Sequence, residues 1–553
     1  MRIKELSIGR LLSWLDDNLL LILGTLLIVF IPLYPKWPLF DILPGYIVRV
    51  RLEDLLVAFT VLVWLIWVLR KKVSILPNPL LVPIGIYIGV GFVSSLSAIF
   101  ITRTVPFQLI HIAKLFLHFF RRIEYFSLFF IFYSALRNLG QIRKLVVILG
   151  ATVFLISIYG FGQKYLYWPV YSTMNREFSK GWRLVLTEHA RVPSTFAGHY
   201  DLAAYLAFFL VIFVSLAVFL KNKTLKIFFS LIFITGFLVL ILTASRTSFI
   251  AYLVSVSLVI FLLSLREKKR LWWAIPRWVF LISFSLLIMF SFGDLSERFS
   301  NFFKVKLISD YAGSVVREKI FGIQEKNLQY LSLNQDLALV YSQSDIPPTI
   351  VPTSEEIKKE LPPDVYQDIP DYVSTGSATT AGSGKMVAST GKEASRAAVV
   401  AVPRNYSQTA FVVGLSSAIR FDALWPMAIK GFLRNPLLGS GYSTLNKIQV
   451  SDFTEAESTD NDYLRVLGET GILGFVSFFG IIAIVFKIVY QKINKIKSRF
   501  FYSFIIGMMG GIMALLINAV YIDVFEASKI AFIFWAMIAI LLISLELGVK
   551  AND

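Results

Sequence analysis

The chain has 553 residues, 56% of them hydrophobic and 16% charged, with a mean hydropathy of +0.69, too apolar for a soluble globular protein of this length. Repeated apolar runs of about 18 or more residues instead indicate a polytopic membrane protein. The formal charge of +18 does not indicate a nucleic-acid partner, because Lys and Arg fall in short clusters between apolar runs, and the lack of Cys excludes disulfides, thiolate metal sites and a Cys nucleophile.

Residues 1–18, with Arg2, Lys4 and Arg10, read as an amphipathic lead on the cytoplasmic surface. The first apolar run has no A-x-A-like cleavage site and is expected to stay as a helix. Apolar runs lie at roughly 19–35, 52–69, 80–101, 122–137, 143–162, 200–220, 225–244, 248–265, 274–293, 471–488, 500–522 and 529–547. The expected fold is therefore all-α, with about twelve transmembrane helices. A cytoplasmic N-terminus puts Arg70-Lys71-Lys72, Arg143-Lys144, Lys221 to Lys226, Arg266 to Arg270 and Lys487 to Arg499 on the cytoplasmic side, together with both chain ends. The opposite face then carries the Arg191 segment, the Ser245-Arg246 turn and everything from Asp294 to Thr470, which makes a large extracytoplasmic loop between the ninth and tenth spans. Three regions follow: an N-terminal bundle at 1–293, the loop region at 294–470 and C-terminal helices at 471–553.

Two stretches depart from this alternation. His111 to Arg122 mixes bases with an apolar face and reads as an interfacial helix entering the membrane, with Lys114, His118, Arg121 and Arg122 reaching toward phosphates; lipid anchoring fits it better than a substrate role. In the large loop, residues near 342–405 form a flexible Pro/Ser/Thr/Gly insert, flanked by amphipathic helices expected at Val315–Leu333 and Ala410–Phe432.

Three constellations carry chemistry. The first, H-A-R-V-P-S-T-F-A-G-H-Y-D at 189–201, leads Arg191 through small residues to a helix whose opening turn holds His199 and Asp201. A guanidinium suits a diphosphate because its planar donors bind phosphate oxygens in pairs and its charge does not titrate; an interfacial Arg on lipid phosphates is the competing reading. The second, L-T-A-S-R-T-S at 242–248, puts Arg246 in a tight turn at the membrane edge, where Ser245 or Thr247 can cap the next helix. The third runs from Arg420 to Gly474 and places polar and ionisable residues immediately before an apolar span, where charge is expensive and usually functional. In it Thr459 or Asp460 is expected to cap a helix starting near Asn461 and to turn its free N–H groups toward the outer cavity. Asp460 is then either a cap or a general base for an acceptor hydroxyl, with His199 the main substitute and Glu455, Asp462 and Glu469 weaker ones. Arg465 and Glu469 stand at helical pairing distance. Gly439-x-Gly441 lacks the rest of a dinucleotide pattern and any βαβ context, and metal-ligand spacing is absent, so neither a cofactor nor a metal is expected.

Arg420, Trp425, Asn435-Pro436-Leu437, Gly439-x-Gly441, Asn461, Leu464 and Glu469-Thr470-Gly471-Ile472-Leu473-Gly474 together resemble the signature of the O-antigen ligase-like superfamily, which includes O-antigen ligases, O-antigen polymerases and protein O-oligosaccharyltransferases. Members usually carry His before the Asn, where this chain has Asp460. The resemblance implies a glycosyltransferase in the bacterial inner membrane. It would move a glycan from a polyprenyl-diphosphate carrier to a hydroxyl of a glycan or lipid-glycan acceptor at the extracytoplasmic face, with inversion. Arg191, Arg246 and Arg420 would hold the diphosphate, and Asp460 or His199 would take the proton. Tyr165, Tyr167, Trp168, Tyr171 and Trp182 can stack on sugars or form an interfacial belt. The alternative function is a transporter or flippase of a lipid-linked glycan or another anion; inverted repeats and broken helices near the midplane would mark it.

Overall fold

The computed structural model describes residues 8–42, 49–73, 78–173, 178–293, 420–445 and 458–551, with isolated positions at 295–299. Among these, twelve long helices follow the alternation of apolar runs: α1 (Ile8–Leu33), α2 (Leu52–Leu69), α3 (Leu81–Phe100), α4 (Leu109–Ala135), α5 (Leu139–Tyr165), α6 (His199–Phe219), α7 (Lys223–Leu242), α8 (Arg246–Ser264), α9 (Arg270–Ser291), α11 (Asp462–Lys492), α12 (Arg499–Asn518) and α13 (Ser528–Lys550). A shorter α10 (Trp425–Arg434) precedes α11. The only paired strands among the described residues are β1 (Phe40–Asp41) and β2 (Arg49–Val50). The expected helix at Val315–Leu333, the insert near 342–405 and Glu455 lie outside the described residues, as does Ala410–Phe432 up to residue 419. Eleven of the long helices are long and apolar enough to cross a membrane, and the chain is an integral membrane protein.

The twelfth, α4, accounts for the difference from the expected count. It is one continuous helix of 27 residues, not an interfacial helix followed by a span. Its bases do not reach outward: Lys114 and Arg122 are buried, and Arg121 pairs with Asp54 and Glu124, both at 2.7 Å. A charge taken out of water needs a counter-charge, and here the protein supplies it in place of lipid phosphate.

The centre of the bundle is α6, apolar on all sides and buried along almost its whole length, packed against α7, α8 and α12. Small residues let the backbones approach: a Cβ at Gly507 of α12 would stand 2.9 Å from the Cα of Ile212 on α6. Ser215 on α6 donates to Ser503 O on α12 at 2.6 Å, so the close contact also carries a hydrogen bond.

Basic residues gather at one end of the bundle, where Arg70 and Lys72 pair with Asp16 and Arg499 pairs with Glu267. The opposite end is tied by long-range polar contacts. Lys529 Nζ donates to Pro32 O, Tyr34 O and Thr195 O at 3.1, 2.5 and 2.7 Å, joining the end of α1 to the segment before α6. Lys36 pairs with Glu53 at 3.0 Å; burial, reinforced by the charge of Arg51, pushes its ammonium down from 10.5 to about 8 despite Glu53. Among the described residues, this second end collects the sequence elements that carry candidate chemistry.

Candidate functional site

The segment before α6 is held from three sides. Ser194 Oγ donates to Ile156 O on α5 at 2.8 Å, Thr195 Oγ1 to Pro32 O at the end of α1 at 2.6 Å, and Val192 N to Leu242 O at the end of α7 at 3.3 Å. Small side chains permit this close packing, and they fix Arg191 against the first turn of α6. Arg191 Nη1 lies 2.7 Å from His199 Nε2 and donates to Tyr200 Oη at 3.0 Å. Because a guanidinium only donates, Nε2 is the acceptor and His199 is the neutral tautomer protonated at Nδ1.

Arg420 arrives at the same place from the other half of the chain. It opens a short π-helical turn (Arg420–Leu424) before α10; such turns aim side chains that a regular helix would turn elsewhere. Its Nη2 donates to Tyr521 O at 3.1 Å and pairs with Asp460 Oδ2 at 2.9 Å. The guanidinium carbons of Arg191 and Arg420 stand 5.7 and 6.0 Å from the centre of the Tyr200 ring, so the two cations lie within roughly 12 Å of each other around one aromatic ring. The structure thus brings together Arg191, His199, Arg420 and Asp460 of the expected set. Arg246 enters on a separate element at the same end: it is the first residue of α8, half-buried, behind the N-cap Ser245. Its turn is joined to the others through the Val192–Leu242 bond and through Ser248 Oγ, which donates to Asn518 Oδ1 at 2.7 Å.

The start of α11 differs from expectation. Asn461, not Thr459 or Asp460, is the cap, its Oδ1 accepting from Leu464 N at 2.9 Å. The N–H groups of Thr459 and Asn461 are taken by Asp523 at 2.9 and 2.8 Å, and that of Asp462 by Ala519 O at 2.9 Å, so they do not face an outer cavity. Asp460 sits outside the helix in a left-handed conformation (φ +52°), with Ser458 Oγ 2.6 Å from its Oδ1.

Beneath this lies a second charged group. Arg465 donates to Asp523 at 2.8 Å and pairs with Glu469 at 3.5 Å, the expected i,i+4 pair. Glu469 also meets Arg122 of α4 at 3.5 Å and accepts from Ser443 N at 3.0 Å, while Arg122 pairs with Glu526 and stacks 4.9 Å from the Tyr442 ring. Asp523 and Glu526 were missed in the sequence reading, although two acids in the short polar step between the last two apolar runs are a readable signal of buried pairing.

The glycines explain how α11 and the N-P-L turn fit. α11 breaks at Gly471 (φ +67°), and the 435–441 turn fills the break. Ser440 N and Gly441 N donate to Gly468 O and Glu469 O, both at 2.9 Å, and Ile472 N donates to Pro436 O at 2.9 Å. A Cβ at Gly439 would lie 2.4 Å from Glu469 C, and one at Gly471 2.4 Å from Leu437 C. Each glycine is required by the backbone of the segment that holds the other. Of the expected aromatics, Tyr171 stacks on Trp37 with centroids 5.6 Å apart, while Tyr165, Tyr167 and Trp182 are exposed.

No curated protein matches the chain. Residues 384–479 match a family model described as O-Antigen ligase, a stretch that contains Arg420, Asp460, the docked turn and the break in α11. That match supports a resemblance of the chain to the O-antigen ligase-like superfamily.

Proposed function

We propose that this protein is a membrane glycosyltransferase of the O-antigen ligase or polymerase type, which transfers a glycan from a polyprenyl-diphosphate carrier to an acceptor hydroxyl at the extracytoplasmic face of the bacterial inner membrane. One observation carries this reading: Arg191 and Arg420, more than two hundred residues apart in sequence, flank one Tyr200 ring at the end of the bundle where a lipid headgroup would lie. Two fixed guanidiniums, with Arg246 on the neighbouring turn, match the charge that accumulates on a departing diphosphate. Basic clusters at the opposite end support cytoplasmic termini and an outward-facing site. Direct displacement by the acceptor oxygen inverts the anomeric carbon. His199 and Asp460, the residues the resemblance offers for proton transfer, are the groups that face the two arginines. With those lone pairs spent on guanidiniums, we read them as positioning the anion clamp.

The broken α11 does not favour a transporter, since its freed backbone groups are taken by the 435–441 turn and line no path. The test uses purified protein, a polyprenyl-diphosphate oligosaccharide and candidate acceptors. Arg191→Ala and Arg420→Ala are expected to lower transfer by about 10²-fold or more, and Arg246→Ala to weaken donor binding. Flipping of the donor in vesicles without any change in glycan length or attachment would sink the transferase reading.

A further inference from the structure

The acidic side chains around the clamp are almost all spoken for. Asp460 holds Arg420, Asp523 accepts from two backbone N–H groups and Arg465, Asp462 Oδ2 accepts from Phe525 N at 3.2 Å, Glu469 and Glu526 share Arg122, and Glu53 pairs with Lys36. Asp201 is different. Among the described residues it makes no hydrogen bond and no ion pair, yet it is half-buried in the first turn of α6, next to the Tyr200 ring that both arginines flank. Two cations, Lys36 and Lys529, and two acids, Asp460 and Asp523, lie close enough for their charges to act on it. Withdrawing a carboxylate from water without a partner is costly, and the helix start offsets only part of that cost. A carboxylate kept with both oxygens uncommitted, beside an anion clamp, is placed to receive a proton.

We propose that Asp201 is the general base of the transfer. The inference rests on the glycosyltransferase reading above. The acceptor hydroxyl gives its proton to the Asp201 carboxylate as its oxygen bonds to the anomeric carbon. The bond from that carbon to the phosphate oxygen breaks, and its electron pair leaves with the diphosphate held by Arg191 and Arg420. His199 and Asp460 keep the guanidiniums in place and need not change protonation.

The experiment compares full-length wild type, Asp201→Asn, Asp201→Glu and Asp460→Asn in the same donor–acceptor assay. Asp201→Asn is expected to lower kcat by about 10²- to 10⁴-fold while the KM for the polyprenyl-diphosphate donor stays within about twofold. Its residual rate should lose the fall on the acid side of the wild-type pH profile, and Asp201→Glu should recover part of kcat. Asp460→Asn should raise the donor KM more than it lowers kcat. Wild-type kcat in Asp201→Asn overturns the assignment, as does a kcat loss that Asp201→Glu leaves unrelieved with the pH profile unchanged. If Asp201→Asn does not accumulate as folded protein, Asp201→Ser carries the same test, since it too cannot take the proton; full turnover there overturns the proposal. Arg191→Ala and Arg420→Ala separate the two readings: full turnover in them removes the clamp whatever Asp201 does, whereas loss in them with normal turnover in Asp201→Asn removes only the base.

Discussion

Two groups of arginines and acids lie one above the other at the same end of the bundle, built from the same residue types. In the lower one, Arg122 and Arg465 meet Glu469, Asp523 and Glu526, so cations are outnumbered and every group is matched inside the protein. In the upper one, Arg191 and Arg420 meet, among the described residues, His199 and the carboxylate of Asp460, whose side chain is 31% exposed. Charge in a membrane protein is therefore informative only alongside its partners: a group of buried ion pairs braces helices, and guanidiniums gathered beside a partly exposed carboxylate are placed where an anion could reach them.

That contrast can be broken from either side. The largest effect is expected in the brace's scaffold: Gly471→Ala must put a Cβ against Leu437 at a positive φ, and folded protein should fail to accumulate, as size-exclusion of the solubilised protein would reveal. Asp523→Ala removes the partner of Arg465 and of two backbone N–H groups. It should cost about 3–5 kcal/mol of stability, read as a lowered Tm in detergent, with donor affinity lost only as folded protein is lost. Tyr200→Phe keeps the ring but deletes the 3.0 Å bond from Arg191; an effect of about 1 kcal/mol, severalfold in donor KM at unchanged Tm, is expected. If Tyr200→Phe instead lowers Tm as far as Asp523→Ala, the division between brace and clamp is wrong. The last effect is spread over a pH window and concerns Lys36. Its folded-state ammonium titrates near pH 8 and its unfolded one near 10.5, so between these values the unfolded chain binds more protons and stability rises with pH, by about 1 kcal/mol per unit. Melting curves of wild type and Lys36→Met across that window should differ in slope.

Much of this architecture is legible in the chain because apolar run length is a direct consequence of bilayer thickness, and the spans follow it closely. α4 is the instructive exception: Arg121 and Arg122 look interfacial by composition, and only their partners, Asp54 on α2 and Glu469 and Glu526 far down the chain, show them turned inward. The clamp was half visible. Arg191 and Arg420 stand out as guanidiniums beside small-residue turns, but the Tyr200 ring between them looks like any interfacial tyrosine, and no local pattern reports that Asp460 would face Arg420. Asn461, not Thr459 or Asp460, caps α11, and Asp523, on the next connection, takes the amides of Thr459 and Asn461 from far along the chain. Such long-range competition leaves no mark in the local sequence.

The reciprocal glycines at 439 and 471 also bear on how the chain is built. Since the carbonyls and amides released at the break in α11 are satisfied by residues that precede it by only about thirty positions, the upper portion of α11 cannot settle into the membrane ahead of the 435–441 hairpin-like turn. The two must dock together, as a single late-closing plug.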